Sequence, residues 1–229
     1  KNRLTNKLPL YDIHFLPNLP RPFFCLSATI DTESLETLDS FFSLPDNPIS
    51  IISAARLRTE QEIWVSPQIE NEKEREQKVL EALMNLPRPA ILYSTEIKDV
   101  DNWYDFVTKA GFSNVRKVHG DIKSSEKESI VKKWKSGNLD LVVGNTAFGL
   151  GINYQSARTV IHACVPEDIS RYYQEIGRTG RDNLASISLI LPTKTDKAKA
   201  KKNVKKRLIT TEIGLPRWEL MFRRSKKEK

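Results

Sequence analysis

Two arginines three residues apart, each beside a glycine, carry the most specific chemistry in the chain. They lie in the run Tyr172-Tyr173-Gln174-Glu175-Ile176-Gly177-Arg178-Thr179-Gly180-Arg181-Asp182. Arg178 and Arg181 stay charged at any working pH, and each presents a planar fork of donors that matches a phosphate. Gly177 and Gly180 let the backbone approach a ligand that a Cβ would hold away. A second candidate is the stretch Asp140 to Asn153, where the apolar run Leu141-Val142-Val143 passes into the glycine-bearing loop Gly144-Asn145-Thr146-Ala147-Phe148-Gly149-Leu150-Gly151-Ile152-Asn153. A strand running into such a loop is used where backbone groups must face a phosphate. The two cysteines, Cys25 and Cys164, stand far apart and make no tetrahedral metal site by themselves, so no metal ligand is assigned. Both lie in apolar runs, which predicts buried, reduced thiols and an intracellular setting.

The arginine run resembles the arginine-finger motif of superfamily-two helicases in its RecQ-like form, and the glycine loop, with Gly151 27 residues before Arg178, resembles that family's Ala-Phe-Gly-x-Gly-Ile-Asp/Asn pattern. The resemblance covers about residues 22–192 and implies a RecA-like lobe, the second of two. It assigns Arg178 and Arg181 to the γ-phosphate of ATP, with Arg181 the preferred finger, and Gln174 to nucleotide sensing or coupling. Gly151, Asn153 and Gly177 would face the nucleotide. Asn145, standing where a threonine is usual, Thr146 and Phe148 would face the nucleic acid. Ala90-Ile91-Leu92-Tyr93-Ser94-Thr95 resembles the strand and turn that grip the nucleic-acid backbone. Ser94 and Thr95 therefore have two readings, phosphate contact or capping of the following helix. His119-Gly120 is similar to the family's His-Ala-Gly turn and is given backbone contact or a plain turn role. Ser27-Ala28-Thr29 resembles the segment that closes the first lobe and couples hydrolysis to movement.

Neither a Gly-x-x-x-x-Gly-Lys-Ser/Thr loop nor the Asp-Glu pair of such ATPases occurs in the sequence. By the resemblance, ATP and Mg²⁺ are the cofactors, with Mg²⁺ held by a first lobe that this chain lacks. The chain opens on Lys1, as a piece of a longer polypeptide would, and the expectation is that it is inactive alone. The zinc-binding cysteines that often follow the second lobe in RecQ proteins do not occur either. The expected divisions are 1–45, the end of the first lobe; 46–192, the second RecA-like lobe; and 193–229, a basic tail that opens a possible accessory region.

The elements that must position these residues follow a β-then-α rhythm. Strands are predicted at 22–26, Ile51-Ile52, 63–65, 90–93, 115–119, 139–143, 159–163 and 187–191. Helices are predicted after Asp31 with Leu35, Leu38, Phe41 and Phe42 as the apolar face, then over 72–84, 99–109 (stopped by Gly111), 124–134 and 169–176. Short continuous apolar strands alternating with amphipathic helices argue for an α/β fold, a parallel sheet with helices on both faces. Ligands in such sheets sit beyond the carboxyl ends of the strands, where every candidate motif is expected to fall.

The formal charge of +8 is concentrated in the tail: residues 193–229 carry 14 basic and 4 acidic side chains, a net of +10, against 23 and 25 before them, a net of −2. This field suits a phosphate backbone, and it equally suits a solvated linker. The run Lys194–Arg207 holds seven lysines and one arginine, opposed only by Asp196, and shows no apolar face, which predicts a bridging or frayed helix. No stretch is long and apolar enough to span a bilayer. Single-stranded or partly duplex DNA, ATP and the first lobe of the same polypeptide are the expected partners. The family's usual 3′ to 5′ direction, a DNA-repair setting, and residence in the cytoplasm, nucleoid or a nucleus accompany them. Two rivals stand: a DEAD-box RNA helicase lobe, whose motif usually reads His-Arg-x-Gly-Arg-x-Gly-Arg, and a non-catalytic nucleic-acid-binding scaffold.

Overall fold

The computed structural model describes residues 24–27, 29–44, 48–53, 58–145, 157–207, 212, 214–216 and 219–220. Its centre is one six-stranded sheet, entirely parallel, in the order β1-β6-β5-β2-β4-β3. The strands are β1 Gln61–Val65, β2 Ala90–Tyr93, β3 Val115–Val118, β4 Leu141–Gly144, β5 Thr159–His162 and β6 Ser186–Ile190. Strands β2, β4 and β5 are buried along their whole length, as sequences apolar on both faces must be. β1, at the edge, leaves Ile63, Trp64 and Val65 more than half exposed.

The helices are α1 Thr32–Phe42, α2 Glu72–Asn85, α3 Ile97–Lys109, α4 Ser124–Lys135, α5 Ile169–Ile176 and α6 Asp196–Arg207. Short polar side chains start three of them: Asp31 accepts from the Ser34 N–H at 2.8 Å, Asn71 from Glu74 at 3.0 Å and Asp168 from Arg171 at 2.7 Å. Gly111, at a φ of +100°, turns the chain out of α3 through a conformation that few other residues adopt.

Two apolar clusters lie on opposite faces of the sheet. Val79, Leu83, Val100, Trp103 and Val107 of α2 and α3 pack on one face with Leu92, Leu141 and Ile161. Ile130, Trp134, Tyr172 and Ile176 of α4 and α5 pack on the other with Ile91, Val142 and Val160. Alternate residues of each central strand feed opposite clusters, which follows from their period of two.

The beginning of the chain departs from the sequence reading. No strand forms over Phe24–Leu26 or at Ile51-Ile52, and Phe24, Leu26 and Ile52 are 83%, 94% and 97% exposed. Cys25 is exposed as well, whereas Cys164 is buried as expected. A short apolar run becomes a strand only if a neighbouring strand takes up its backbone groups, and among the described residues none lies beside these. Helix α1 forms with the predicted cap, yet none of its residues is buried. Its apolar face has no described surface to cover it.

Candidate nucleotide and nucleic-acid site

Helix α5 starts at Asp168, crosses the sheet and delivers the two arginines at its far end. A buried cluster fixes its register. His162 of β5 is completely buried, and its Nε2 lies 2.9 Å from Glu175 Oε2, itself nearly buried. The carboxylate can only accept, so the imidazole donates from Nε2. The His162 ring stacks on Tyr93, with centroids 5.3 Å apart and planes at 21°, and meets Tyr172 at 5.2 Å. Tyr172 is held in turn by a 2.9 Å hydrogen bond to Ser188. Burial pushes the Tyr93 phenol well above its usual range, and the positive charge of Arg178 acts against that shift. Arg178 therefore lies against the end of this aromatic stack.

The loop after α5 is tied down from several sides. Gln61, opening β1, donates to Thr179 Oγ1 at 3.0 Å; Arg58 donates to the Thr179 carbonyl at 3.2 Å; and Ala157 pairs with Thr179 in a parallel bridge. Arg181 donates from Nε to the Gly177 carbonyl at 3.0 Å. Gly180 sits at φ +62°, and a Cβ there would meet Ser186 Oγ at 2.9 Å. At that positive φ a larger residue is strained. Arg158 grips Asp182 with both ends of its guanidinium, and this hydrogen-bonded charge pair lowers the Asp182 pKa to about 2.

The result is a cationic corner. The Arg181 pKa is lowered, first by partial desolvation and then by the nearby charges of Arg178 and Arg58. Guanidinium groups that repel one another in one corner suit a polyanion, which relieves that repulsion on binding. Arg58 escaped the sequence reading, because it lies in no motif and stands more than 100 residues before the loop it holds. At the same corner Gln174 donates from Nε2 to Thr29 Oγ1 at 2.9 Å, so the candidate coupling residue touches the candidate sensor across 145 positions of sequence. Ser27 closes a local turn, accepting from the Thr29 N–H at 3.1 Å.

This corner lies where the sequence pattern did not put it. Thr179 and Gly180 contact Ala157, which precedes β5, Gln61, which opens β1, and Ser186, which opens β6. The Thr179-Gly180 turn therefore sits at the amino ends of these strands, while the Arg178 side chain reaches the Tyr93 phenol. Candidates that directly follow a strand do occupy the carboxyl edge, because a helix returning from that edge must end at the other.

Ser94, His119 and Asn145 form a row at the carboxyl ends of the neighbouring strands β2, β3 and β4. The Ser94 N–H donates to the Gly144 carbonyl at 2.9 Å, and the Asn145 N–H to Val118 at 3.3 Å. All three are buried, while Thr95 reaches solvent. Neither Ser94 nor Thr95 caps α3, whose N-cap is Glu96 with no side-chain bond. His119 Nε2 lies 3.7 Å from Asp101 Oδ1. Thr146, Phe148, Gly151 and Asn153 lie outside the described residues. Among the described residues no group of three or more His, Cys, Asp or Glu side chains is placed to hold a metal ion. Nor is any described helix long and apolar enough to cross a membrane.

Residues 74–183 match the helicase conserved C-terminal domain. A RecQ-like DNA helicase of Caenorhabditis elegans is 30% identical over 126 residues, which is 55% of this chain and 13% of that protein. A probable ATP-dependent RNA helicase of Dictyostelium discoideum is 27% identical over 198 residues, 86% of this chain and 29% of its own length. Bacterial DNA helicases of the RecQ type match as well, and the chain spans less than a third of each of these curated relatives. The solved C-terminal domain of the DEAD-box protein Dbp5 superposes with a TM-score of 0.53 at 18% identity, covering 65% of this chain and 85% of that one. That likeness establishes the RecA-like fold shared by helicase C-terminal lobes.

Proposed function

We propose that the chain, whose residues 74–183 match the helicase conserved C-terminal domain, supplies the second lobe of a RecQ-like, ATP-dependent DNA helicase. The observation that carries this reading is the cationic corner of Arg58, Arg178 and Arg181 at the end of α5. In that role Arg178 and Arg181 donate to oxygens of the transferring γ-phosphoryl group, where charge builds in the transition state. Bound ATP with Mg²⁺ supplies the phosphoryl group and the metal's charge neutralisation. The cationic corner and the glycine turn fit the phosphates, and the proposal assigns the Mg²⁺ ligands to a first lobe. Gln174 reports the nucleotide state to Thr29, and through it to the segment entering from that lobe. Thr95 meets a phosphate of single-stranded DNA, with Ser94, His119 and Asn145 shaping the floor beneath it.

Arg181→Ala in a polypeptide carrying both lobes is the direct test. An arginine finger contributes roughly 10³–10⁵ in rate in related NTPases. The expected outcome is a loss of DNA-stimulated ATP turnover within that range, with the fold intact by circular dichroism. Unchanged turnover would remove Arg181 from the mechanism.

The RNA reading has its own support in the Dictyostelium relative, which covers more of the chain than the worm DNA helicase does. The Gln174-Glu175 wording favours DNA. Comparing the ATPase response to single-stranded DNA and to RNA of the same length separates the two. A third reading, the scaffold, requires no turnover with either.

A further inference from the structure

Helix α6 has almost no apolar surface, yet it is seated on the lobe. Its contact side is Asp196 and Ala200, both buried, followed by half-buried Asn203, at spacings of four and three that share one helical face. The seat is electrostatic. Arg75 of α2, only 3% exposed, donates to Asp196 Oδ2 at 2.6 Å and forks onto Glu72 at 2.7 and 3.0 Å. The same Asp196 oxygen accepts the Thr193 N–H at 2.8 Å, which ties the first residue of the helix to the turn that leads into it. Just upstream, Ile69 pairs with Thr193 in a parallel bridge, and Lys194 pairs with Glu70. The single acid in a run of lysines is therefore the residue that turns inward.

The seat also fixes what the helix stands beside. Thr95, Asp99, Cys164, Lys199 and Ala200 line one small cleft at the carboxyl ends of β2 and β5. Lys199 lies between two carboxylates, 4.0 Å from Glu72 Oε1 and beside Asp99. Lys197, Lys201 and Lys202 are exposed, and among the described residues no ion pair holds them. Lys197 and Lys201, one turn apart, point along one stripe.

We propose that the buried Arg75–Asp196 pair is a clasp that seats α6 next to Thr95, so that Lys197, Lys201 and Lys202 extend the nucleic-acid face as a built contact for the phosphodiester backbone of a single strand. This rests on the proposed DNA-binding role of the lobe and adds a second row of contacts to it. A diffuse basic tail and a seated helix differ in one measurable respect. Removing Asp196 raises the formal charge by one from +8, which strengthens a diffuse electrostatic attraction. In a seated helix the same change unfastens the lysines and weakens binding.

The test uses the 229-residue chain and a fluorescein-labelled oligothymidylate, titrated across a series of salt concentrations. The expected result is that Asp196→Ala binds several-fold more weakly despite its added positive charge. The charge-swapped Arg75→Asp, Asp196→Arg double variant regains part of the loss. The exposed triple variant Lys197→Ala, Lys201→Ala, Lys202→Ala folds normally and lowers the salt slope by about 2, at about 0.7 per phosphate contact on a single strand. Should Asp196→Ala fail to fold, the triple variant decides, and an unchanged slope overturns the proposal. Equal or tighter binding by folded Asp196→Ala also overturns it while leaving the lobe's DNA-binding role standing. If the unaltered chain does not bind the oligonucleotide, that role falls, and the clasp proposal falls with it.

Discussion

Single side chains set the shape of the arginine loop, and the clearest case is an exposed one. Asp182 has its carboxyl held at a pKa of about 2, below the ordinary 3.8, chiefly by the hydrogen-bonded Arg158 fork. A depressed carboxyl pKa contributes stability that is whole above the unfolded value, and that stability disappears as pH falls through the folded one. The expected outcome is that the chain outlasts Asp182→Asn in thermal melts at pH 5–7 by a small margin, as suits a surface pair. That margin closes as the pH falls from about 4 to about 2. A margin that does not change with pH would mean that the ion pair is not its source. Arg58 teaches a related point about legibility. It sits outside every motif, and only the folded chain brings its charge to Arg181.

Helix α5 and strand β5 act as one element through the His162–Glu175 pair. Both partners are out of water, so removing one strands the other, which costs about 1–3 kcal/mol for a buried hydrogen-bonding group. Glu175→Ala should lower the urea-unfolding free energy by about that amount, whereas Glu167→Ala, at the helix entrance, leaves His162 paired and should cost less. Equal effects would show that the pair does not fix α5. The pattern of short apolar strands and amphipathic helices made all five elements from β2 to β4 and both α5 and β6 legible to within a few residues. A continuous apolar run such as Ala90–Tyr93 forms a strand where neighbouring strands and helices cover it on both faces. Of the strand expected at 22–26 the described part, Phe24–Leu26, forms none, nor does Ile51-Ile52, for a physical reason: apolarity signals burial, and burial needs a partner surface that the run itself does not encode. Helix α6 shows the reverse error. With no apolar face it read as a bridging or frayed helix, and one buried ion pair seats it on the lobe.

For the whole molecule, the exposed face of α1 and the Gln174–Thr29 contact bear on one expectation. In the proposed mechanism the cationic corner stabilises phosphate charge, and the attacking water and the Mg²⁺ are positioned by another lobe. The chain by itself should therefore show no ATP hydrolysis above background, with or without single-stranded DNA, while a polypeptide joining it to a first lobe should show DNA-stimulated turnover. Robust turnover by the chain alone would overturn that division of labour. Silence of the joined polypeptide as well would favour the scaffold reading.

Residue order alone determined the α/β class, the parallel sheet and most element boundaries, because each of these is written in local periodicity, caps and short motifs. Tertiary structure decided the rest. It put the Thr179-Gly180 turn at the amino ends of β5, β6 and β1, on the opposite edge of the sheet from Ser94, His119 and Asn145, since an eight-residue helix carries the chain back from the carboxyl edge. It brought Arg58 to the Thr179 carbonyl, Thr29 to Gln174 and Arg75 to Asp196. Each of these pairings joins charges or polar groups more than 100 residues apart, and no local pattern encodes an attraction that exists only once the sheet has closed the distance.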